Sequence, residues 1–194
     1  MYNEEVYHGT DCESAENIIR EGKINPSIGD RHWLGDGPYF FEDELDAFWW
    51  IAGKFVNNHD NGDITTIPKY YSIISTNLKI PKKRIFDLDD KEFFNEYVQV
   101  CYKIFKKTED KNGNKFDGGM LNIMFQELGY DRLYDAVKRT FDKPILGSRM
   151  ISKPQVQICI KKEKLNSNYK LQDYSERIGE HYSKLTTMFP YKFK

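Results

Sequence analysis

The chain has 194 residues, of which 39% are hydrophobic, 30% charged and 15% aromatic, and its formal net charge is −1. This length and apolar content predict a single domain over residues 1–194 with a core of its own. The nearly balanced charge gives no reason to expect nucleic acid or an anionic membrane as a partner, although a local basic groove remains open.

The cysteines and the apolar runs indicate the cellular compartment in which the protein is expected. Cys12, Cys101 and Cys159 are odd in number and lack the spacing of metal ligands, which predicts no metal site and fits a reducing cytoplasm. The acidic Glu4 and Glu5 argue against a signal peptide, and no stretch approaches the roughly 20 apolar residues of a membrane-spanning helix. We therefore expect a cytoplasmic protein without a membrane partner.

The first half of the chain alternates short strands with helices. The pattern predicts a strand at 6–8, a helix opened by a Thr10/Glu13 capping box and ended by Gly22, a loop at 25–38, a strand at 39–41, a helix capped by Asp43, a loop at 57–63 and a strand at 70–80. In the second helix, the repeat assigned to the core consists of Ala47, Trp50, Ile51 and Phe55. Trp49 lies off that face and is the better candidate for a ligand wall.

The second half is less regular. The pattern predicts a continued strand at 84–88, a helix at 92–107, a charged loop at 106–119, a helix at 120–128, an ambiguous strand at 133–140, a loop at 143–153, a strand at 156–160 and a polar, partly helical extension at 165–194. Basic residues that could contact nucleic acid are Lys103, Lys106, Lys107, Lys111, Lys115 and the run at 161–164. A solvated helix face and loop is the favoured interpretation of both.

Three short motifs carry the chemistry that the sequence suggests. The first is Tyr-His-Gly-Thr at 7–10, the second is Gly-Asp-Gly-Pro-Tyr-Phe at 35–40, and the third is Gln-Val-Gln-Ile-Cys-Ile at 155–160. A strand that turns into a helix near Thr10 leaves the His8 side chain and the Gly9 backbone where a ligand can approach. Each motif alone also fits an ordinary strand end, tight turn or polar strand face, whereas their combination indicates one pocket.

Together these motifs resemble the ADP-ribosyltransferase superfamily in its diphtheria-toxin and poly(ADP-ribose) polymerase branch. That branch carries a His-Gly-Thr or His-Gly-Ser, then a Gly-x-Gly-x-Tyr-Phe, and finally a Glu, Asp or Gln that opens an apolar strand. Small bacterial toxins and phage-defence enzymes are similar in layout. The resemblance covers residues 6–160, without a specific match between the second and third motifs. It implies an α/β (α+β) fold, a split β-sandwich of two small antiparallel sheets with flanking helices and NAD in the cleft between them.

The resemblance also implies NAD as the donor substrate and a role for each motif residue. Cleaving the bond between nicotinamide and ribose builds positive charge on the sugar, so the site must fix the ribose and stabilise a cation. His8 is expected to donate to a ribose hydroxyl, the Gly9 backbone to pair with the carboxamide, and Tyr39 to stack on the ring. The expected NAD-binding residues are His8, Gly9, Thr10, Tyr39, Trp49 and Trp50, and the expected catalytic residues are Gln157, Tyr39 and His8.

The third motif holds two glutamines on one predicted strand face, because residues two apart point to the same side. Gln157 directly precedes the apolar part of the motif and is assigned to the ribose, which leaves Gln155 as the candidate on the acceptor side. Most active relatives have a glutamate where this chain has Gln157, although active bacterial toxins with glutamine are known. A glutamine supplies a dipole without a charge, which favours mono-ADP-ribosylation over elongation to a polymer.

The expected function is therefore a mono-ADP-ribosyltransferase that acts as an intracellular toxin or anti-phage effector. Its macromolecular acceptor, a protein or a nucleic acid, stays open, and a neutralising antitoxin is a partner that the resemblance implies. Two alternatives remain: an NAD glycohydrolase with water as acceptor, and a pseudoenzyme that keeps an NAD cleft as an interaction module. The glutamine at position 157 is the feature that favours the pseudoenzyme.

Overall fold

The computed structural model describes residues 1–29, 32–59, 63–108, 117–148, 150–162 and 168–193, with the backbone alone described for 105–108. In these ranges the strands are β1 (Tyr2–Asp11), β2 (Tyr39–Phe41), β3 (Tyr71–Ile80), β4 (Ile85–Asp87), β5 (Ala136–Pro144), β6 (Ser152–Ile160) and β7 (Lys170–Gln172). The α-helices are α1 (Cys12–Glu21), α2 (Glu44–Asn58), α3 (Lys91–Thr108), α4 (Asp117–Gln126) and α5 (Ile178–Met188).

The strands form one mixed sheet in the order β4-β5-β6-β2-β1-β3-β7, in which only β4 and β5 are parallel. Strands β1 and β3 pair along their whole length, as do β5 and β6. Between β1 and β2, by contrast, the register holds a single pair, Tyr7 with Phe41. We call the region where β1 and β2 separate beyond this pair the seam. The predicted α/β class is confirmed, and the strands that were expected in two sheets are joined through the seam into one.

Apolar clusters cover both faces of the sheet. On one face, Phe40 and Ile158 pack with Ala15 and Ile18 of α1 in a first cluster. On the other face, two clusters lie side by side. The second contains Phe41 with Ala47, Phe48, Ile51, Ala52 and Phe55 of α2 and Ile178 and Leu185 of α5, and the third contains Cys159 with Tyr97 of α3 and Met120, Leu121 and Met124 of α4.

Several boundaries differ from the prediction. The short strand at 6–8 is the centre of the longer β1, so Thr10 lies in the strand, and Asp11 caps α1 by accepting from the Ser14 N–H at 2.8 Å. An Asp carboxylate at the cap satisfies a free N–H of the first helical turn, as the predicted threonine would have done. The predicted strand at 133–140 and loop at 143–153 become one hairpin, because β5 and β6 pair as far as Pro144 and Ser152.

The buried face of α2 also differs from the prediction. Asp43 caps this helix as expected. Trp50, however, is 44% exposed, so its assignment to the core is wrong. The buried stripe includes Phe48 beside Ile51, and position 50 falls at its edge. Trp49 is half-buried against the second cluster.

The described part of the extension, 168–193, completes that second cluster. Helix α5 buries Ile178, His181 and Leu185. Phe193, which follows the helix, is 1% exposed and packs against the ring of Tyr182. The extension therefore forms a wall of the core beside α2.

Candidate functional site

The three motifs lie on the neighbouring strands β1, β2 and β6. Tyr39 pairs with Cys159, and Phe41 pairs with Gln157, so each pair shares a face of the sheet. The Cys159 thiol is completely buried, with Sγ 3.6 Å from the carbonyl oxygen of Gly35. The fold thus makes neighbouring strands of three segments that are far apart in the chain, and the single pocket expected from the three motifs stays a prediction.

His8 reaches across the seam from β1. Its Nδ1 donates to the carbonyl oxygen of Tyr39 at 2.7 Å. Because a carbonyl oxygen can only accept, the proton of the neutral ring sits on Nδ1 and Nε2 is an acceptor. Burial lowers the pKa of His8, which keeps the ring neutral near pH 7. A ribose hydroxyl would therefore donate to His8, the reverse of the direction that the sequence suggested.

His8 and Gln157 stand on opposite faces of the sheet. Alternation along β1 and a distance of 5.9 Å between the rings of His8 and Phe40 put the imidazole on the face of the first cluster. Gln157 shares the other face with Phe41. Strand β2 lies between the two residues, and β1 and β2 share no register pair beyond Tyr7 and Phe41.

Gln157 ends a chain of side chains that begins at a buried carboxylate. Its Nε2 donates to Oε1 of Gln155 at 2.7 Å, and the Gln155 amide lies close enough to Asp46, in the first turn of α2, to act on the pKa of that carboxyl. An ionised carboxylate only accepts, so Gln155 turns its NH₂ group toward Asp46 and its oxygen toward Gln157. Gln157 uses its NH₂ group on Gln155, and its own Oε1 is left to accept. We call Asp46, Gln155 and Gln157 the amide chain.

Asp46 anchors the amide chain although it is 3% exposed. Burial raises the pKa of Asp46, and the hydrogen bonds from Lys153 and Gln155 oppose that rise. The Lys153 ammonium donates to Oδ1 of Asp46 at 2.6 Å and to Asp43 at 3.2 Å. Gln155 is 1% exposed, so in this position it supports Gln157 and does not itself meet solvent.

Tyr39 is tied to the loop that precedes β2. Its hydroxyl donates to the carbonyl oxygen of Gly35 at 2.7 Å and accepts from the N–H of Leu34 at 2.8 Å. Burial raises the pKa of Tyr39, so the phenol stays protonated and keeps both bonds. The ring is half-buried against the third cluster. Tyr39 therefore shapes the turn of the second motif in addition to presenting an aromatic ring.

Gly9 permits the close approach of β1 to α2. A Cβ at this position would lie 2.7 Å from Cγ2 of Ile51 and 2.8 Å from the carbonyl oxygen of Ala47. The same point is 3.5 Å from the indole of Trp50, so this exposed tryptophan stands beside the first motif. Thr10 lies on β1, on the same side as His8 by alternation. Of the two candidate tryptophans, the one beside Gly9 is thus Trp50.

Further aromatic and cationic residues lie near the amide chain and were not predicted. Phe141 pairs with Gln155, and its ring centre is 4.6 Å from that of Trp33. The Lys143 ammonium lies 4.3 Å from the centre of the Trp33 ring and 4.5 Å from that of Trp49. A loop, β5 and α2 contribute to this group, so no local pattern could show it. One signal was Trp33, in a loop that is rich in Pro, Gly, Ser and Asp.

A cavity of about 370 Å³ lies elsewhere, on the face of Phe40 and Ile160. Its lining contains none of the expected NAD-binding residues. A central polar group along it is paired within the protein, since the Lys161 ammonium donates to the carbonyl oxygens of Leu34 and Asp36 at 2.6 and 2.7 Å. The cavity is lined by Asp36, Gly37 and Pro38 of the second motif and by Ile160 of the third. Because the expected NAD-binding residues lie outside it, we place the candidate site at the seam and the amide chain.

Metal, membrane and nucleic-acid features can be assessed in the described ranges. There, no group of three or more His, Cys, Asp and Glu side chains is positioned to hold a metal ion. No helix in those ranges is both long and apolar enough to cross a membrane. Of the basic stretches, Lys103 lies exposed on α3, Lys161 and Lys162 follow β6, and the remaining lysines lie outside the described side chains.

Comparison with known proteins identifies a relative without a described activity. No protein-family model matches the chain, and no solved structure matches it. An uncharacterized protein of Methanocaldococcus jannaschii, MJ0359, is 34% identical over 180 residues, which span 80% of this chain and 81% of that protein. The chain belongs to the same protein family as MJ0359.

Proposed function

We propose that this protein is a mono-ADP-ribosyltransferase that transfers ADP-ribose from NAD to a macromolecular acceptor. The nicotinamide riboside half of NAD binds at the seam, between His8 on β1 and the amide chain beside β2. The observation that carries the proposal is the orientation of Gln157, whose Nε2 is bound by Gln155 so that Oε1 is available to accept. Two further features support it: the neutral His8 ring at the seam and the exposed Trp50 beside Gly9.

The geometry suggests how the reaction proceeds. The bond between the anomeric carbon and the nicotinamide nitrogen breaks, and nicotinamide leaves with the electron pair. Positive charge then develops on the ribose. Oε1 of Gln157 accepts from a ribose hydroxyl and holds its dipole toward that charge, and the carboxylate of Asp46 lies behind it. The nucleophile of the acceptor bonds to the anomeric carbon and releases its proton.

A split in the sheet would supply the cleft for NAD. A cleft there would require the halves β4-β5-β6-β2 and β1-β3-β7, which a single register pair joins within one sheet, to diverge at the seam. The residues assigned to NAD there are His8, Gly9, Thr10, Tyr39 and Trp50, with Trp49 along the adjoining wall. We further propose a cytoplasmic toxin or anti-phage effector with a neutralising antitoxin and an acceptor that is a protein or a nucleic acid.

The test is to incubate the purified protein with NAD labelled in the adenylate moiety and a cell lysate. Nicotinamide release is measured, and separate aliquots are treated with protease and with nuclease. We expect labelled macromolecule that is lost on one of these treatments, which identifies the acceptor class. Free ADP-ribose without labelled macromolecule would instead indicate the glycohydrolase. NAD binding without nicotinamide release would contradict both enzymatic functions and leave the pseudoenzyme.

Changing Asp46 tests the amide chain. Asp46→Asn is expected to lower the turnover of NAD about tenfold, because the amide chain loses one polar anchor worth about 1–1.5 kcal/mol. The KM for NAD should hardly change, since the substrate does not contact Asp46. The matched control is Asp43→Asn. It alters the other carboxylate bound to Lys153, and Asp43 does not belong to the amide chain. Initial rates that fall equally in both variants would contradict the orienting role.

A further inference from the structure

The ammonium groups of two lysines lie against one indole, that of Trp49. The ammonium of Lys192, just after α5, is 3.5 Å from the centre of the Trp49 ring. The ammonium of Lys143, on β5, is 4.5 Å from the same ring and 4.3 Å from that of Trp33. Three separate segments, α2, β5 and the end of the described chain, thus converge to place two positive charges near each other.

These two charges are not neutralised by neighbouring side chains. In the described part of the chain, Asp46, which acts electrostatically on Lys143, and Asp43 are both paired with Lys153. Neither Lys143 nor Lys192 forms an ion pair there. Burial and the facing Lys192 lower the pKa of Lys143 to about 8, with Asp46 acting in the opposite direction, and burial also lowers the pKa of Lys192.

The same place holds an unused hydrogen-bond donor. The Nε1 atom of Trp49 is buried and has no hydrogen-bond partner among the described residues. Two like charges and an unpaired N–H at one indole are costly in the free protein. An anion with several acceptor oxygens would relieve both, because it compensates the ammonium charges and can accept from a nearby N–H.

We propose that Lys143 and Lys192 form a phosphate-binding site on the Trp49 indole. Lys143 pairs with Lys153 across the β5–β6 hairpin. Gln157 is four positions after Lys153 on β6, roughly 13 Å at 3.3 Å per residue. This separation suits either the diphosphate of a dinucleotide whose riboside end lies at Gln157 or the backbone phosphate of a nucleic-acid acceptor. The choice between these sources rests on the proposed function, whereas the anion site does not.

The experiment is a titration of the full chain with inorganic pyrophosphate, followed by tryptophan fluorescence and calorimetry. Lys143→Gln and Lys192→Gln are each expected to weaken binding about tenfold, the loss of roughly one charge-assisted contact. Lys79→Gln, at an exposed position of β3, is the matched control and should bind like the unmodified protein. Circular dichroism checks that the variants fold. Absence of pyrophosphate binding, or equal binding by all three variants and the unmodified protein, would overturn the site.

Two further arms of the titration distinguish the sources of phosphate. ADP-ribose replaces pyrophosphate in one arm, and a single-stranded oligonucleotide replaces it in the other. If the lysine variants weaken ADP-ribose binding alone, the site holds the donor diphosphate, and if they weaken oligonucleotide binding alone, it holds an acceptor. Pyrophosphate binding that depends on both lysines in a protein without NAD turnover would support the anion site and contradict the transferase.

Discussion

Gln157→Ala is expected to slow NAD turnover by about 100-fold or more, the usual loss when one preorganised polar contact to a developing charge is removed. The alanine removes the acceptor oxygen that the proposal assigns to the ribose and leaves Gln155 without its donor. Binding of NAD should change little, because the proposal assigns most of its contacts to other residues. The measurement is the initial rate of nicotinamide release over a range of NAD concentrations.

Two other variants are compared with Gln157→Ala. Gln99→Ala removes an exposed glutamine side chain of α3 and should leave turnover unchanged. His8→Ala removes an acceptor at the seam and should raise the Kd for NAD about tenfold, with a smaller effect on the chemical step. Full turnover in the Gln157 variant would show that its amide takes no part in catalysis. Relief of toxicity on expression of that variant would support the effector function.

Gly37→Ala is expected to destabilise the protein by about 3 kcal/mol or more. At this glycine φ is +146°, and a Cβ would lie 2.2 Å from the carbonyl oxygen of Ile160 and 2.8 Å from the Cys159 thiol. The main chain of β6 cannot move away without breaking its pairing with β2. We expect the melting temperature to fall by on the order of 10 °C, which calorimetry or urea unfolding can measure.

The control for this substitution is another glycine. Gly179 lies in the first turn of α5, and a Cβ added there would meet no other atom within 4 Å. Gly179→Ala should therefore stabilise the protein slightly, by about 0.5 kcal/mol, because alanine restricts the unfolded chain and favours helix. A loss of stability in both variants would mean that the steric account of Gly37 is incorrect. The two substitutions are expected to change the free energy of unfolding in opposite directions, so a general effect of alanine cannot explain both results.

Local patterns in the sequence were sufficient to predict the strands of the three motifs and the capped start of α2. The order of the motifs led us to expect that β1, β2 and β6 would meet, and the sheet places them side by side. The direction of the hydrogen bond at His8 could not be predicted, because it depends on the Tyr39 carbonyl that only the folded chain supplies. The placement of Trp50 failed because the position of Phe48 shifts the buried stripe of α2.

The residues that sequence reasoning missed all act over long distances along the chain. Asp46 reads as an ordinary acidic residue in the first turn of a helix, and only the packing of α2 on β6 buries it beside Gln155. Lys192 follows a helix in an extension without a recognisable motif, yet it lies on the ring of Trp49. Burial and charge compensation of this kind depend on tertiary structure, and they produce no periodic pattern in the sequence.

The reactivity of the buried Cys159 thiol can report local separation of β2 and β6. It belongs to the third motif and faces Tyr39 of the second across β2 and β6, and burial raises the pKa of the thiol, so it is slow to ionise. An alkylating reagent can reach it only when these strands come apart, whereas the half-buried Cys12 and Cys101 remain more accessible. The rate at which Cys159 acquires the label, followed by mass spectrometry, therefore measures how often the candidate site comes apart.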